Sequence, residues 1–236
     1  MSPQRRARQT VTVTADLVIL TIRDHRLHVL LVERANEPFA GMPALPGGFL
    51  RGRESLDETA ARELAEETGV DSAGLHLQQV GVYSHPDRDP RDPRVITCAY
   101  LAIAPDLPRP TAGSDARAAR WVPVDEAEGT RLAFDHDDIL RDALELARDE
   151  LQFTTVATAF CAEEFTVAEL RAVYEAVWGV ELDAPNFHRK VVSADGFVVA
   201  TGDKRPTMGG RPAALYRAGD ATRLSPPMMR SRQSGA

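Results

Sequence analysis

An α/β sandwich followed by a winged helix-turn-helix domain is the fold that this sequence predicts. Three observations carry the prediction. Between residues 10 and 151, stretches with strand alternation surround one short acidic helix and end on one long amphipathic helix. Between residues 165 and 217, two short helices precede two short strands with a basic connection between them. The charge balance also changes sign. Residues 1–150 carry 18 Lys and Arg against 26 Asp and Glu, whereas residues 186–236 carry nine against three. An acidic front and a basic back suit two domains with different partners.

The elements follow in order. Residues 11–22 and 27–33 alternate about Asp24-His25, which predicts a β-hairpin. Residues 75–83 and 95–103, rich in Val, Ile and Tyr, predict further strands, with a polar, proline-rich loop over 85–93 between them. A short strand is predicted over 119–124, near Trp121. Residues 135–151 carry Ile139, Leu140, Ala143, Leu144 and Ala147 at helical spacing, which predicts a closing helix. In the back half, Thr166 and Glu169 fit a capping box. Leu170, Val173, Tyr174 and Val177 form the apolar stripe of the helix that follows, and Gly179 ends it. A short basic helix starts at Pro185. Strands over 197–201 and 213–217 come next, and their connection, 202–212, holds Lys204, Arg205 and Arg211. The domains are therefore set at 10–150 and 155–222. Residues 223–236, rich in Pro, Ser and Arg, are expected to form a disordered tail.

Composition bounds the function. Apolar content of 43% and charged content of 27% are those of an ordinary globular protein. No apolar run approaches the roughly 18 residues of a membrane span, so no membrane partner is expected. Cys98 and Cys161 both lie in apolar runs and are expected to be reduced core thiols of a cytoplasmic protein.

The chemistry concentrates in residues 48–70, GFLRGRESLDETAARELAEETGV. Ser55-Leu56-Asp57-Glu58 fits a capping box, so a helix starts there, and Gly69 sits where a left-handed C-terminal cap is expected. On that helix Glu63, Glu66 and Glu67 stand at i, i+3 and i+4 and share one face, while Ala61, Leu64 and Thr68 can turn to a core. Like charges at this spacing cost a few tenths of a kcal/mol per pair. A hard divalent cation removes that penalty, because Mg²⁺ prefers carboxylate and phosphate oxygens. Gly47 and Gly48 let backbone approach a metal or phosphate with no side chain in the way. Arg62 can reach Glu58 one turn back or fix one of the acids. The bland alternative is a solvated acidic helix face.

These 23 residues match the Nudix box, Gx5Ex7REUxEExGU with U apolar, at all nine specified positions, so residues 10–150 resemble a Nudix domain. The resemblance implies Mg²⁺, or Mn²⁺, held by the catalytic acids Glu63, Glu66 and Glu67, with the Gly48 carbonyl as a further ligand. It implies that Arg62 orients these acids and that Glu54 pairs with Arg62. Water would attack a pyrophosphate phosphorus, with Glu63 or the loop acid Asp115 as general base. Pro86, 16 residues after Val70, is similar to the marker of the ADP-ribose pyrophosphatase branch. Gly47, Gly48, Glu54, Pro86 and Arg88 are accordingly expected at the ligand.

The back half carries FTVAELRAVYEAV over 165–177, NFHRK over 186–190 and GRPAALY over 210–216. These stretches resemble the C-terminal domain of the NrtR family of Nudix-related transcriptional regulators. The resemblance implies a winged helix that sets Asn186, His188, Arg189 and Lys190 in a major groove and Lys204, Arg205 and Arg211 on the wing against double-stranded DNA. It further implies a homodimer on paired half-sites and an ADP-ribose-like nucleotide as ligand. Two readings follow. One is a regulator whose front domain senses the nucleotide and retains hydrolysis. The other is a hydrolase with the winged helix as an accessory, or as a dimer contact only. The complete winged helix favours regulation and the intact box favours retained chemistry.

Overall fold

In a computed structural model the described residues are 9–69, 75–105, 116–206 and 211–230. The front half is one mixed sheet of seven strands: β1 (Val11–Arg23), β2 (Arg26–Arg34), β3 (Pro43–Ala44), β4 (Gly47–Phe49), β5 (His76–Tyr83), β6 (Arg94–Ile103) and β7 (Ala116–Pro123). The order β3-β2-β1-β6-β5 runs across it, with β4 on β1 and β7 on β2. Helix α1 (Leu56–Thr68) precedes β5, and α2 (Val124–Glu128) and α3 (His136–Phe153) follow β7.

Alternation along the strands builds two cores, one per face. From β1, Val18 and Leu20 enter the core that α3 covers, and Ala15, Leu17 and Ile19 enter the one that α1 covers. From β6, Ala99, Leu101 and Ile103 go one way, and Cys98, Tyr100 and Ala102 go the other. The result is the expected α/β/α sandwich. The predicted hairpin is present, and Asp24 and His25 turn it with φ of 48° and 59°, the left-handed pair that a two-residue hairpin turn requires.

The back half is α4 (Val167–Trp178), α5 (Ala184–Ser193), β8 (Val198–Arg205) and β9 (Ala213–Ala218), a helix-turn-helix closed by a hairpin. A 3-10 turn, Val156–Phe160, leads into it. Thr166 and Glu169 form the predicted capping box, and Gly179 ends α4 with φ 67°. The apolar core does not stop between the halves. Leu144, Ala147 and Leu151 of α3, Phe160, and Val173, Tyr174, Val177 and Trp178 of α4 belong to one continuous buried cluster.

Two expectations are corrected. Residues 223–230 are folded, not a disordered tail. Leu224 and Met228 are buried, and their amides donate to the Phe153 and Gln152 carbonyls at the C-terminal end of α3. Those carbonyls have no intrahelical partner, so the returning segment satisfies them. Residues 231–236 lie outside the described residues. Lys204 and Arg205 were expected in the connecting loop. They lie in β8, paired with Ala214 and Ala213, because the strand resumes after a bulge at Gly202, φ 90°.

Candidate ligand cleft and nucleic-acid interface

A cleft of about 370 Å³ opens where β1, β4 and α1 meet the loops before β3 and α3. Glu63, Glu66 and Glu67 line it from α1, and Gly47 and Gly48 line it from β4. Local signals set the helix. Ser55 Oγ accepts from Glu58 N–H, Glu58 returns the bond to Ser55 N–H, and Gly69 caps the other end with φ 71°. The registers Ala15↔Gly48 and Asp16↔Gly47 then bring β4 alongside. A Cβ on Gly48 would overlap the Glu63 carboxylate, so that glycine is required for close approach rather than for a turn.

Arginines organise the acids. Arg62 Nε and Nη2 donate to Glu54 Oε1 and Oε2 at 2.9 and 3.1 Å, and Nη1 donates to Glu63 Oε1 at 2.5 Å. Arg51 Nη1 donates to Glu66 Oε1 at 2.9 Å. Arg62 does not take the alternative partner, Glu58, because the capping box uses that carboxylate. Burial raises the Glu63 carboxyl above the usual range and outweighs the opposing pull of Arg62. The Arg51 bonds hold the Glu66 carboxyl below it. The Arg62 bonds hold Glu54 at about 2.

These contacts correct one expectation. Glu54 does not line the cleft; it anchors Arg62 from behind. Among the described residues, no three acidic, His or Cys side chains form a ready metal cage. Arg62 and Arg51 neutralise Glu63 and Glu66 in the charge-balancing role expected of a cation. The donor set still suits a hard divalent ion, since all three side-chain donors are carboxylates. Such an ion would be held by Glu63, Glu66 and Glu67 with the Gly48 carbonyl.

Pro86 is exposed and absent from the cleft lining. Arg88 does line it, but its guanidinium is buried against acids: Nη2 donates to Asp135 Oδ1 at 2.7 Å and to Asp16 Oδ2 at 3.4 Å. Its charge is already matched inside the fold. Asp115 and Val70 lie outside the described residues.

The sequence reading missed the far wall. His136 Nδ1 accepts from Leu45 N–H at 2.9 Å, so Nε2 carries the hydrogen that faces Asp16 Oδ2 at 3.5 Å. Burial works to raise the Asp16 carboxyl, yet His136 and Arg88 together hold it below its ordinary value. Phe39 and Phe134 meet edge to face at 4.9 Å, both with left-handed backbone at φ 67° and 58°. Arg34 and Arg91 lie over the Phe134 ring at 4.5 and 5.1 Å. Strained bulky residues of this kind persist where the surrounding structure fixes them, often at ligand sites. The wall sets an aromatic ring and two arginines opposite the acids, with Arg91 held by Asp89. The one available signal was Asp16, a lone acid inside an apolar strand.

In the back half, Phe187 and Val191 bury one side of α5, and Asn186, His188, Arg189 and Lys190 are exposed. Arg189 Nη2 donates to Asn186 Oδ1 at 2.6 Å, which fixes the guanidinium along the exposed face. Lys204 and Arg211 are exposed as well. Arg205 points elsewhere: Nη1 donates to Glu169 Oε1 at 2.6 Å and Nη2 to Glu164 O at 3.1 Å. No helix among the described residues is long and apolar enough to cross a membrane.

Comparison with known proteins agrees with this architecture. Residues 12–143 match the NUDIX domain, and residues 158–218 match the NrtR DNA-binding winged helix domain. The chain is 33% identical over 207 residues to the ADPR responsive transcriptional repressor NtrR of Acinetobacter baylyi, across 87% of this chain and 81% of that protein. It superposes on Shewanella oneidensis NrtR complexed with a 27mer DNA at TM-score 0.78 and 31% identity, over 92% of this chain and 99% of that one. It also resembles the NUDIX domain of Shewanella oneidensis NrtR complexed with ADP ribose, at TM-score 0.53 and 32% identity, over 62% and 94% of the two chains. With a Nudix domain and an NrtR winged helix in one polypeptide, the chain belongs to the NrtR family of Nudix-related regulators.

Proposed function

We propose that this protein is a cytoplasmic, homodimeric transcriptional regulator that binds operator DNA through its winged helix and responds to ADP-ribose or a related nucleoside diphosphate in its cleft. The observation that carries the proposal is the unbroken core between the two units, through which α3 passes. Its first residue, His136, lines the cleft, and its last turns pack on the winged helix. A ligand that shifts the first turn of such a rod biases both sites together. The cleft chemistry suits the ligand. Arg34, Arg51 and Arg91 line the cleft beside Phe134, and a diphosphate would draw Arg51 from Glu66 and Arg91 from Asp89 to pair with them.

We further propose that the chain retains hydrolysis of a pyrophosphate bond, and the complete box favours this. Glu63, Glu66 and Glu67 would hold Mg²⁺ or Mn²⁺. When bound, the ion supplies neutralisation of the diphosphate charge and a more acidic water. The chain itself contributes orientation. Glu54 fixes Arg62, Arg62 fixes Glu63, and Gly48 leaves the space that this carboxylate needs.

The test uses full-length Glu67→Gln, which removes one metal-ligand charge and so spares the nucleotide. ADP-ribose is titrated with and without operator recovered by selection from genomic fragments. The regulator reading expects the two affinities to differ by roughly 5–150-fold. Equal affinities would leave an enzyme attached to an independent DNA-binding module. Wild type is assayed in parallel for Mg²⁺-dependent release of AMP from ADP-ribose; no turnover would reduce the cleft to a sensor.

A further inference from the structure

We propose that Arg205 is a positioning residue, not a phosphate contact: it struts the wing against the start of α4 through Glu169 and leaves Lys204 to face the DNA backbone. The inference rests on the DNA-binding reading above. Lys204 and Arg205 are consecutive residues of β8, so their side chains leave opposite faces of the hairpin. The Arg205 face turns toward the body of the domain. There its two terminal nitrogens reach the Glu169 carboxylate at 2.6 Å and the Glu164 carbonyl at 3.1 Å. Lys204 is exposed and, among the described residues, enters no ion pair.

Other bonds fix the same joint. Arg217, on the neighbouring strand β9, donates from Nε and Nη2 to Glu164 Oε1 at 3.2 and 2.7 Å. Phe165 and Tyr216 exchange backbone bonds at 2.9 and 2.8 Å. Glu169 itself has two tasks. Its Oε2 closes the capping box on Thr166, at 2.7 Å from the Thr166 amide, while its Oε1 holds Arg205. The carboxylate that starts α4 therefore also aims the wing. Exposed ion pairs add little to global stability, but a hairpin tied at Glu164, Phe165 and Glu169 has its direction set relative to the helix-turn-helix.

The two roles of Arg205 give opposite signs for one substitution. Glu169→Gln keeps an N3 residue able to close the capping box but removes the charge that holds Arg205. If Arg205 is a strut, this variant binds operator more weakly, by up to about fivefold. If Arg205 contacts phosphate, its release from a competing carboxylate tightens binding, and that result overturns the proposal. Salt dependence supplies the second measurement. Lys204→Ala is expected to lower the slope of log affinity against log salt by about 1, whereas Arg205→Gln weakens binding with the slope unchanged. A slope lower by about 1 in Arg205→Gln would also overturn it. Thermal unfolding of each full-length variant separates loss of fold from loss of aim, and Arg205→Gln decides alone if Glu169→Gln is unfolded. A wild type that selects no DNA at all fails the DNA-binding reading instead.

Discussion

Trp178 donates its indole N–H to the backbone carbonyl of Arg148 at 3.1 Å, across the seam between the cleft domain and the winged helix. Arg148 answers from Nε to the Val177 carbonyl at 3.4 Å. Arg148 stands twelve residues along α3 from His136, roughly 18 Å at the helical rise. One rigid element thus has its first turn in the cleft and its last turns bonded to α4. Trp178→Phe removes the donor and part of a buried ring, at a cost of at least about 1 kcal/mol in stability. The expected outcome is a smaller ratio between ADP-ribose affinities measured with and without operator. An unchanged ratio would mean that the signal bypasses this joint.

Gly48 is the tightest point of the cleft, since a Cβ there would overlap the Glu63 carboxylate. Gly48→Ala is expected to displace Glu63 and lower ADP-ribose turnover on the order of 10²-fold, the scale of a misplacement near 1 Å. Operator binding without nucleotide should persist. Initial rates of AMP release, with a gel or fluorescence binding assay beside them, check both halves of this expectation.

The Glu54–Arg62 pair gives a pH signature. Its bonds to Arg62 hold Glu54 at about 2, below its ordinary value near 4.5. A depressed carboxylate contributes stability that is present above the ordinary value and is lost as pH falls toward the folded-state value. Glu54→Gln should therefore melt below wild type at pH 7, and the gap should close as pH is lowered from about 5 to about 2. A gap that is constant across this window would mean that the Glu54 charge is not what holds Arg62.

Arg189 sits on the exposed face of α5 with its guanidinium fixed by Asn186. A fixed fork suits bidentate contact to guanine. Arg189→Ala is expected to cost about 1–3 kcal/mol of operator affinity and to relax preference at one base pair per half-site. Arg211→Ala should weaken all sequences alike and flatten the salt dependence. Binding measured on a panel of single-base operator variants separates the two patterns.

The returning segment after β9 contributes to the core. Leu224 is 7% exposed and lies in the apolar cluster shared by both halves. Leu224→Ala is expected to destabilise the chain by about 2–5 kcal/mol, read by chemical denaturation. A change under 0.5 kcal/mol, as at an exposed site, would return this segment to the status of a loose tail.

Local signals made much of this molecule legible from its sequence. The limits of α1 follow from Ser55, Glu58 and Gly69, and those of α4 from Thr166, Glu169 and Gly179, because a cap is satisfied within a few residues. Strand alternation located β1, β2, β5 and β6 for the same reason. The gathering of Glu63, Glu66 and Glu67 on one cleft follows from helical spacing alone. Tertiary structure decided what depends on register and on competition for charge. Asp16 and His136 are 120 positions apart and meet only because β4 aligns on β1 and α3 starts beside it. Arg62 turns to Glu54 because the cap already holds Glu58. Arg205 faces Glu169 rather than outward because β8 continues past Gly202 and strand alternation then sets its side. Spacing along a chain fixes which groups share an element, whereas the pairing of distant elements fixes which of them meet and which are already taken.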